Sequence, residues 1–153
     1  MKIYVDADAC PVKDEVYRVA IRHGIAVVVV SNSGHRMPAH PLVSQHMVGP
    51  AFDAADDWIT EAITPGDVVV TGDILLAERV LKAGASAVAH DGRIFTSAMI
   101  GSAVAQRALM ADLRAGMVGI TGGPPAFSKA DRSRFLQALD LLLVRAQNQA
   151  GGS

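Results

Sequence analysis

Ile25-Ala26-Val27-Val28-Val29-Val30 and Val68-Val69-Val70 are continuous apolar runs, without the alternation of a strand that turns one face to water. Runs this short and rich in β-branched residues fit strands covered on both faces. Helix-length segments stand between them. Strands are predicted at Lys2–Val5, Ala26–Val30, Leu42–Val48, Asp67–Thr71 and Ser86–Ala89. Helices are predicted from Pro11 to about His23, Asp53–Ile63, Asp73–Ala83, Thr96 to about Arg114, and Ser128 to about Ala146. Gly24 and Gly84 close two of these helices, and Pro65-Gly66 ends another. Ser31–Pro41 and Gly116–Phe127 read as Gly/Pro loops. Strand and helix in alternation predict an α/β fold of three layers, a mostly parallel sheet flanked by helices.

The length of 153 residues suits one domain, taken as residues 1–147 with a frayed tail over 148–153. At 50% hydrophobic and 19% charged residues, the composition excludes intrinsic disorder. The longest apolar run, Ile25–Val30, is far too short to span a membrane. The N-terminus reaches Asp6 too early for a signal peptide. The single cysteine excludes an intrachain disulfide and a cysteine-rich zinc site. The expectation is a soluble cytoplasmic protein. Its net charge of −1 hides an asymmetry: residues 1–75 hold 5 Lys and Arg against 10 Asp and Glu, whereas residues 76–153 hold 9 against 5. A uniformly basic nucleic-acid coat is absent. An acidic centre with basic residues supplied from elsewhere fits a site for a divalent cation and a phosphate.

Ligands of such sheets gather beyond the carboxyl ends of the strands. Asp6 follows the first strand directly, Asp8 comes two residues later, and Asp73 lies just beyond the Asp67–Thr71 strand. Asp53, Asp56 and Asp57 share the opening turns of a helix. Carboxylates crowded together repel unless protons or a metal ion intervene. An all-oxygen ligand set suits Mg²⁺ or Mn²⁺, which would polarise a phosphoryl oxygen and acidify a water. The plain alternative is that Asp8, Asp53 and Asp73 are ordinary helix caps and turn residues. The local pattern weighs evenly between the two readings, and acids at two buried strand ends are what lift it above background.

Supporting residues are expected at Thr71, which could bond a carboxylate or phosphate, and at Lys13, a cation at the opening of a helix, where it is locally unfavourable. Ser31 and Asn32 are candidates for substrate contact, though both are common turn residues. Gly122 and Gly123, ahead of the helix that carries Arg132, could receive a phosphate with Arg132 forking onto it. On local sequence alone an N-capped surface helix explains that segment slightly better. Cys10 reads as a buried packing residue more readily than as a nucleophile. His35 and His40 lack a third soft ligand, and His23, His46 and His90 show no partner pattern. Trp58 reads as core.

The segments Asp6-Ala7-Asp8-Ala9-Cys10-Pro11-Val12-Lys13, Phe52-Asp53-Ala54-Ala55-Asp56, Asp67-Val68-Val69-Val70-Thr71-Gly72-Asp73, and Gly122-Gly123-Pro124 leading to Asp131-Arg132-Ser133-Arg134-Phe135 together resemble the bacterial YaiI/YqxD family over residues 1 to about 145. That family is similar to PIN-like nuclease folds, whose strand-end acids hold a divalent metal for phosphodiester hydrolysis. The resemblance implies metal-side roles for Asp6, Asp8, Asp53, Asp56 or Asp57, and Asp73, with Thr71, Lys13 and Arg132 in support. One departure is His90-Asp91-Gly92-Arg93, where relatives tend to carry a Pro-Arg-Gly turn; Arg93 would then replace the relatives' arginine, or its contact would be lost.

The resulting expectation is a divalent-metal-dependent nuclease acting on a phosphate-containing substrate, RNA above all. The alternatives are a haloacid-dehalogenase-like phosphatase, with Asp6-Ala7-Asp8 supplying nucleophile and acid, and a non-catalytic RNA- or protein-binding module. The phosphatase reading lacks a convincing lysine and room for a cap domain. The scarcity of aromatic residues argues against stacking-based RNA binding.

Overall fold

Five parallel strands form the middle layer: β1 (Lys2–Asp6), β2 (Ala26–Ser31), β3 (Val43–Met47), β4 (Val68–Val70) and β5 (Ser86–Val88), in the spatial order β3-β2-β1-β4-β5. The computed structural model describes residues 1–7, 10–34, 36–51, 53–102 and 127–151. The helices are α1 (Lys13–His23), α2 (Ala54–Ala62), α3 (Ile74–Lys82), α4 (residues 97–102) and α5 (Lys129–Gly151). The sheet is parallel throughout, as the apolar runs require.

From β1 the chain steps outward through β2 to β3, then crosses back to place β4 on the other side of β1. Right-handed crossovers in opposite directions put their helices on opposite faces. α1 accordingly packs on one face with α5, around Ile3, Val5, Val27, Val29, Val70, Phe135, Leu139 and Leu143. α2 and α3 pack on the other, around Tyr4, Val30, Val69, Ile59, Leu76 and Val80. The strand order reverses between β1 and β4. That is where a crevice opens beyond the carboxyl ends of a doubly wound sheet.

Local sequence explains the ends of the elements. Gly24 takes φ +69° and stops α1. Thr96 Oγ1 accepts the Met99 N–H at 3.2 Å, the expected cap of α4. Ser128 and Asp131 bond reciprocally: the Asp131 N–H donates to Ser128 Oγ at 3.1 Å and the Ser128 N–H to Asp131 Oδ2 at 2.9 Å. Gly92, at φ +93°, lies against the α5 backbone; a Cβ there would stand 2.6 Å from the Arg134 carbonyl.

Two boundaries differ from expectation by more than one residue. α1 opens at Lys13 rather than Pro11, because Val12 takes non-helical angles of φ −118° and ψ 24°. α5 continues to Gly151, through residues 148–151 of the expected tail, since its Gln, Asn and Ala residues tolerate helix and no glycine intervenes before 151. The extension of α4 toward Arg114 and the loop Gly116–Ala126 lie outside the described residues. Among the described residues, no helix is long and apolar enough to cross a membrane.

Candidate metal and phosphate site

Thr71 and Asp6 end neighbouring strands, since Val5 of β1 pairs with Val70 of β4. Thr71 is fully buried. Its hydroxyl donates to Asp6 Oδ2 at 3.1 Å and accepts the Asp73 N–H at 3.0 Å. One side chain therefore ties the carboxylate of β1 to the backbone that starts α3. Asp73 caps that helix, accepting the Leu75 N–H through Oδ1 at 2.9 Å. One oxygen of Asp73 thus holds the helix, and the carboxyl also meets Asp56.

Asp56 reaches the same place from α2. Its acidity is weakened to a pKa of about 6, first by burial, then by the negative charges of Asp73 and Asp6, and by a hydrogen bond it makes with Asp73; Arg79 opposes the shift. A buried carboxyl displaced this far beside two others marks a candidate functional site. Asp6, Asp56 and Asp73 thus converge from three elements on the crevice between β1 and β4.

Asp57 turns the other way. It is exposed and pairs with Arg79 Nη2 at 3.0 Å, bridging α2 to α3. Asp53 stands exposed just before α2, its side chain making no cap bond. The choice between Asp56 and Asp57 therefore falls on Asp56. Asp8, Gly122 and Gly123 lie outside the described residues, as does His35.

The supporting candidates separate. Lys13 opens α1, half-buried, with its charge felt by Cys10. Cys10 is buried and its thiol is pushed up to about 11, mainly by that burial, so it is not a nucleophile at neutral pH. Ser31 is fully buried and its hydroxyl donates to the Ser33 carbonyl, fixing the turn after β2. Asn32 is exposed on that turn. Arg132 Nη1 donates to the Pro11 carbonyl at 2.8 Å and to Glu15 Oε1 at 3.1 Å, and the guanidinium lies 5.0 Å from the centre of the Phe127 ring. It fastens the start of α5 to the start of α1. Arg93 pairs with Asp91 at 3.0 Å on the exposed turn after β5.

Three histidines without a sequence signature have partners in space. His23 Nε2 and Arg22 Nη2 both meet Asp140 Oδ1 at 2.7 Å, joining α1 to α5. The His90 ring packs beside Gly72, between Thr71 and Asp73. His46 stacks on Trp58, with ring centres 4.0 Å apart and planes at 17°. No periodicity could announce that last pair, because it joins an edge strand to a helix.

All donors brought together are carboxylate or hydroxyl oxygens, which suits a hard divalent cation. As placed, no three Asp, Glu, His or Cys side chains among the described residues are drawn tightly enough to grip an ion. Binding would require Asp56 to release its proton and the carboxyls to close by side-chain rotation.

Residues 4–145 match the family described as "Uncharacterized BCR, YaiI/YqxD family". The chain is 65% identical over 145 residues to a "UPF0178 protein" of Sphingopyxis alaskensis, covering 95% of this chain and 94% of that one. It is 59% identical over 148 residues to a "UPF0178 protein" of Caulobacter vibrioides, covering 97% and 96%. A "UPF0178 protein" of Rhodopseudomonas palustris is 56% identical over 144 residues, covering 94% and 87%. No solved structure matches. The chain, matched along nearly its whole length by the family and by these relatives, belongs to the YaiI/YqxD family.

Proposed function

We propose that this protein is a divalent-metal-dependent phosphodiesterase that cleaves RNA. The observation that carries the reading is the convergence of Asp6, Asp56 and Asp73 at the point where strand order reverses, with the Asp56 pKa raised to about 6 first by burial and then by the other two carboxyls. A bound Mg²⁺ or Mn²⁺ supplies polarisation of a phosphoryl oxygen and a more acidic water. Asp6 and Asp73 would hold the ion, with Asp56 joining once its proton leaves. Thr71 keeps Asp6 in place while it ties down the start of α3. Asp8, two residues beyond Asp6, is proposed as a further ligand, and Lys13 as a cation facing the phosphate.

The test is incubation of single-stranded RNA with the full chain in Mn²⁺, beside Asp6→Asn and beside the wild type in EDTA. The reading expects cleavage that EDTA abolishes and Asp6→Asn reduces at least a hundredfold. No cleavage by the wild type, or equal cleavage by Asp6→Asn, overturns it.

A further inference from the structure

The ring pair His46 and Trp58 shares an edge of the molecule with the acids. Asp6 is in register with Val30, and Val30 with His46. Residues in one such row of a parallel sheet project to the same face. Asp6 and His46 therefore stand on the α2 side, two strands apart, about 10 Å by the spacing of adjacent strands. Trp58 lies on α2 two residues beyond Asp56. Its indole is braced from inside by Tyr4, edge to face at 6.0 Å and 60°, and is covered by the His46 ring at 4.0 Å. Both His46 and Trp58 are half-buried. β3 is the edge strand, and among the described residues no strand lies beyond it.

Resting on the reading above, we infer that the His46–Trp58 pair is a stacking platform for an unpaired nucleobase next to the phosphate that the acids engage. The separation suits the sugar and base of one nucleotide. A flat ring already lies on the indole in parallel contact, and a base would extend the same stack. The scarcity of aromatic residues in the sequence is then offset by their position. A duplex keeps its bases stacked on one another, so the platform selects single strands.

The test is equilibrium binding of the full chain, followed by the fluorescence of Trp58, its only tryptophan, and by anisotropy of labelled ligand. The ligands are a nine-residue oligouridylate, the ribose-phosphate strand of the same length without bases, and the oligouridylate paired with its complement. The single strand is expected to quench Trp58. The base-free strand and the duplex are expected to bind about tenfold more weakly, without the quench. His46→Ala should lose about tenfold for oligouridylate and nothing for the base-free strand. Equal binding of oligouridylate and its base-free counterpart by the wild type overturns the inference, whatever the variant does. Base-dependent binding without cleavage under Mg²⁺ or Mn²⁺ supports the platform while overturning the nuclease reading. Cleavage that is indifferent to bases does the reverse.

Discussion

At the scale of single residues, Thr71 does two things with one hydroxyl, and its chemistry can be removed almost without changing its shape. Thr71→Val leaves the Asp73 N–H without the Thr71 acceptor and removes the Thr71 bond from Asp6. An orphaned buried group of this kind costs about 1–3 kcal/mol. Urea unfolding of Thr71→Val should show that loss, and RNA cleavage in Mn²⁺ should fall at least tenfold, with Thr71→Ser retaining most of both. Unchanged stability and cleavage in Thr71→Val would contradict the role given to the hydroxyl. Asp56 gives the opposite sign. Its folded pKa of about 6 lies above its ordinary value, so the folded state holds the proton more firmly than the unfolded chain does. The stability linked to this group is fully present below about pH 4 and is lost as pH rises through about 6. Asp56→Asn should therefore stabilise the metal-free protein at pH 7 and flatten its melting temperature between about pH 4 and 6. An asparagine variant that is less stable at pH 7 would show that a partner favours the Asp56 carboxylate over the burial and repulsion that oppose it.

Among elements, what could be read from the sequence followed from local physics. The Val68–Val70 run announced a doubly covered strand, Gly24 and Thr96 announced helix ends, and Asp6 and Asp73 announced carboxylates at strand ends. Partners across space left no such trace. Asp67 is as buried a carboxyl as any near the crevice, yet it is a peg at the amino end of β4, accepting Lys2 N–H at 2.9 Å and Thr64 N–H at 2.8 Å. The glycine pair ahead of α5 says nothing of Glu15 or the Pro11 carbonyl, and packing alone shows them engaging Arg132 Nη1. Asp56 and Asp57 are adjacent, and the angle of α2 against the sheet decides which one faces inward. Gly92 is another case where sequence shows a turn and structure shows why. Gly24→Ala, in open space at φ +69°, should cost about 1–2 kcal/mol from the left-handed backbone alone. Gly92→Ala meets the Arg134 carbonyl as well, and should cost clearly more in the same urea measurement. Equal costs would mean that the turn after β5 moves freely off α5.

For the whole molecule, the order β3-β2-β1-β4-β5 matters more than any one acid. It makes β1 and β4 neighbours with a reversal between them, and so brings Asp6 and Asp73, far apart in sequence, to one crevice. A cation bound there competes with the Asp56 proton, so ligand-linked stabilisation should depend on pH. The rise in melting temperature caused by Mn²⁺ should be larger at pH 7 than at pH 5, and an equal rise at both would place the ion elsewhere. The central claim is that these three carboxyls hold one divalent ion, and Asp73→Asn separates that claim from folding, because asparagine caps a helix as well as aspartate does. Mn²⁺ binding to the full chain, measured at pH 7 by the electron paramagnetic resonance signal of the free ion, should saturate for the wild type. It should weaken at least tenfold in Asp73→Asn while the melting temperature of the metal-free protein holds or rises. Identical Mn²⁺ titrations for the two proteins would contradict the account.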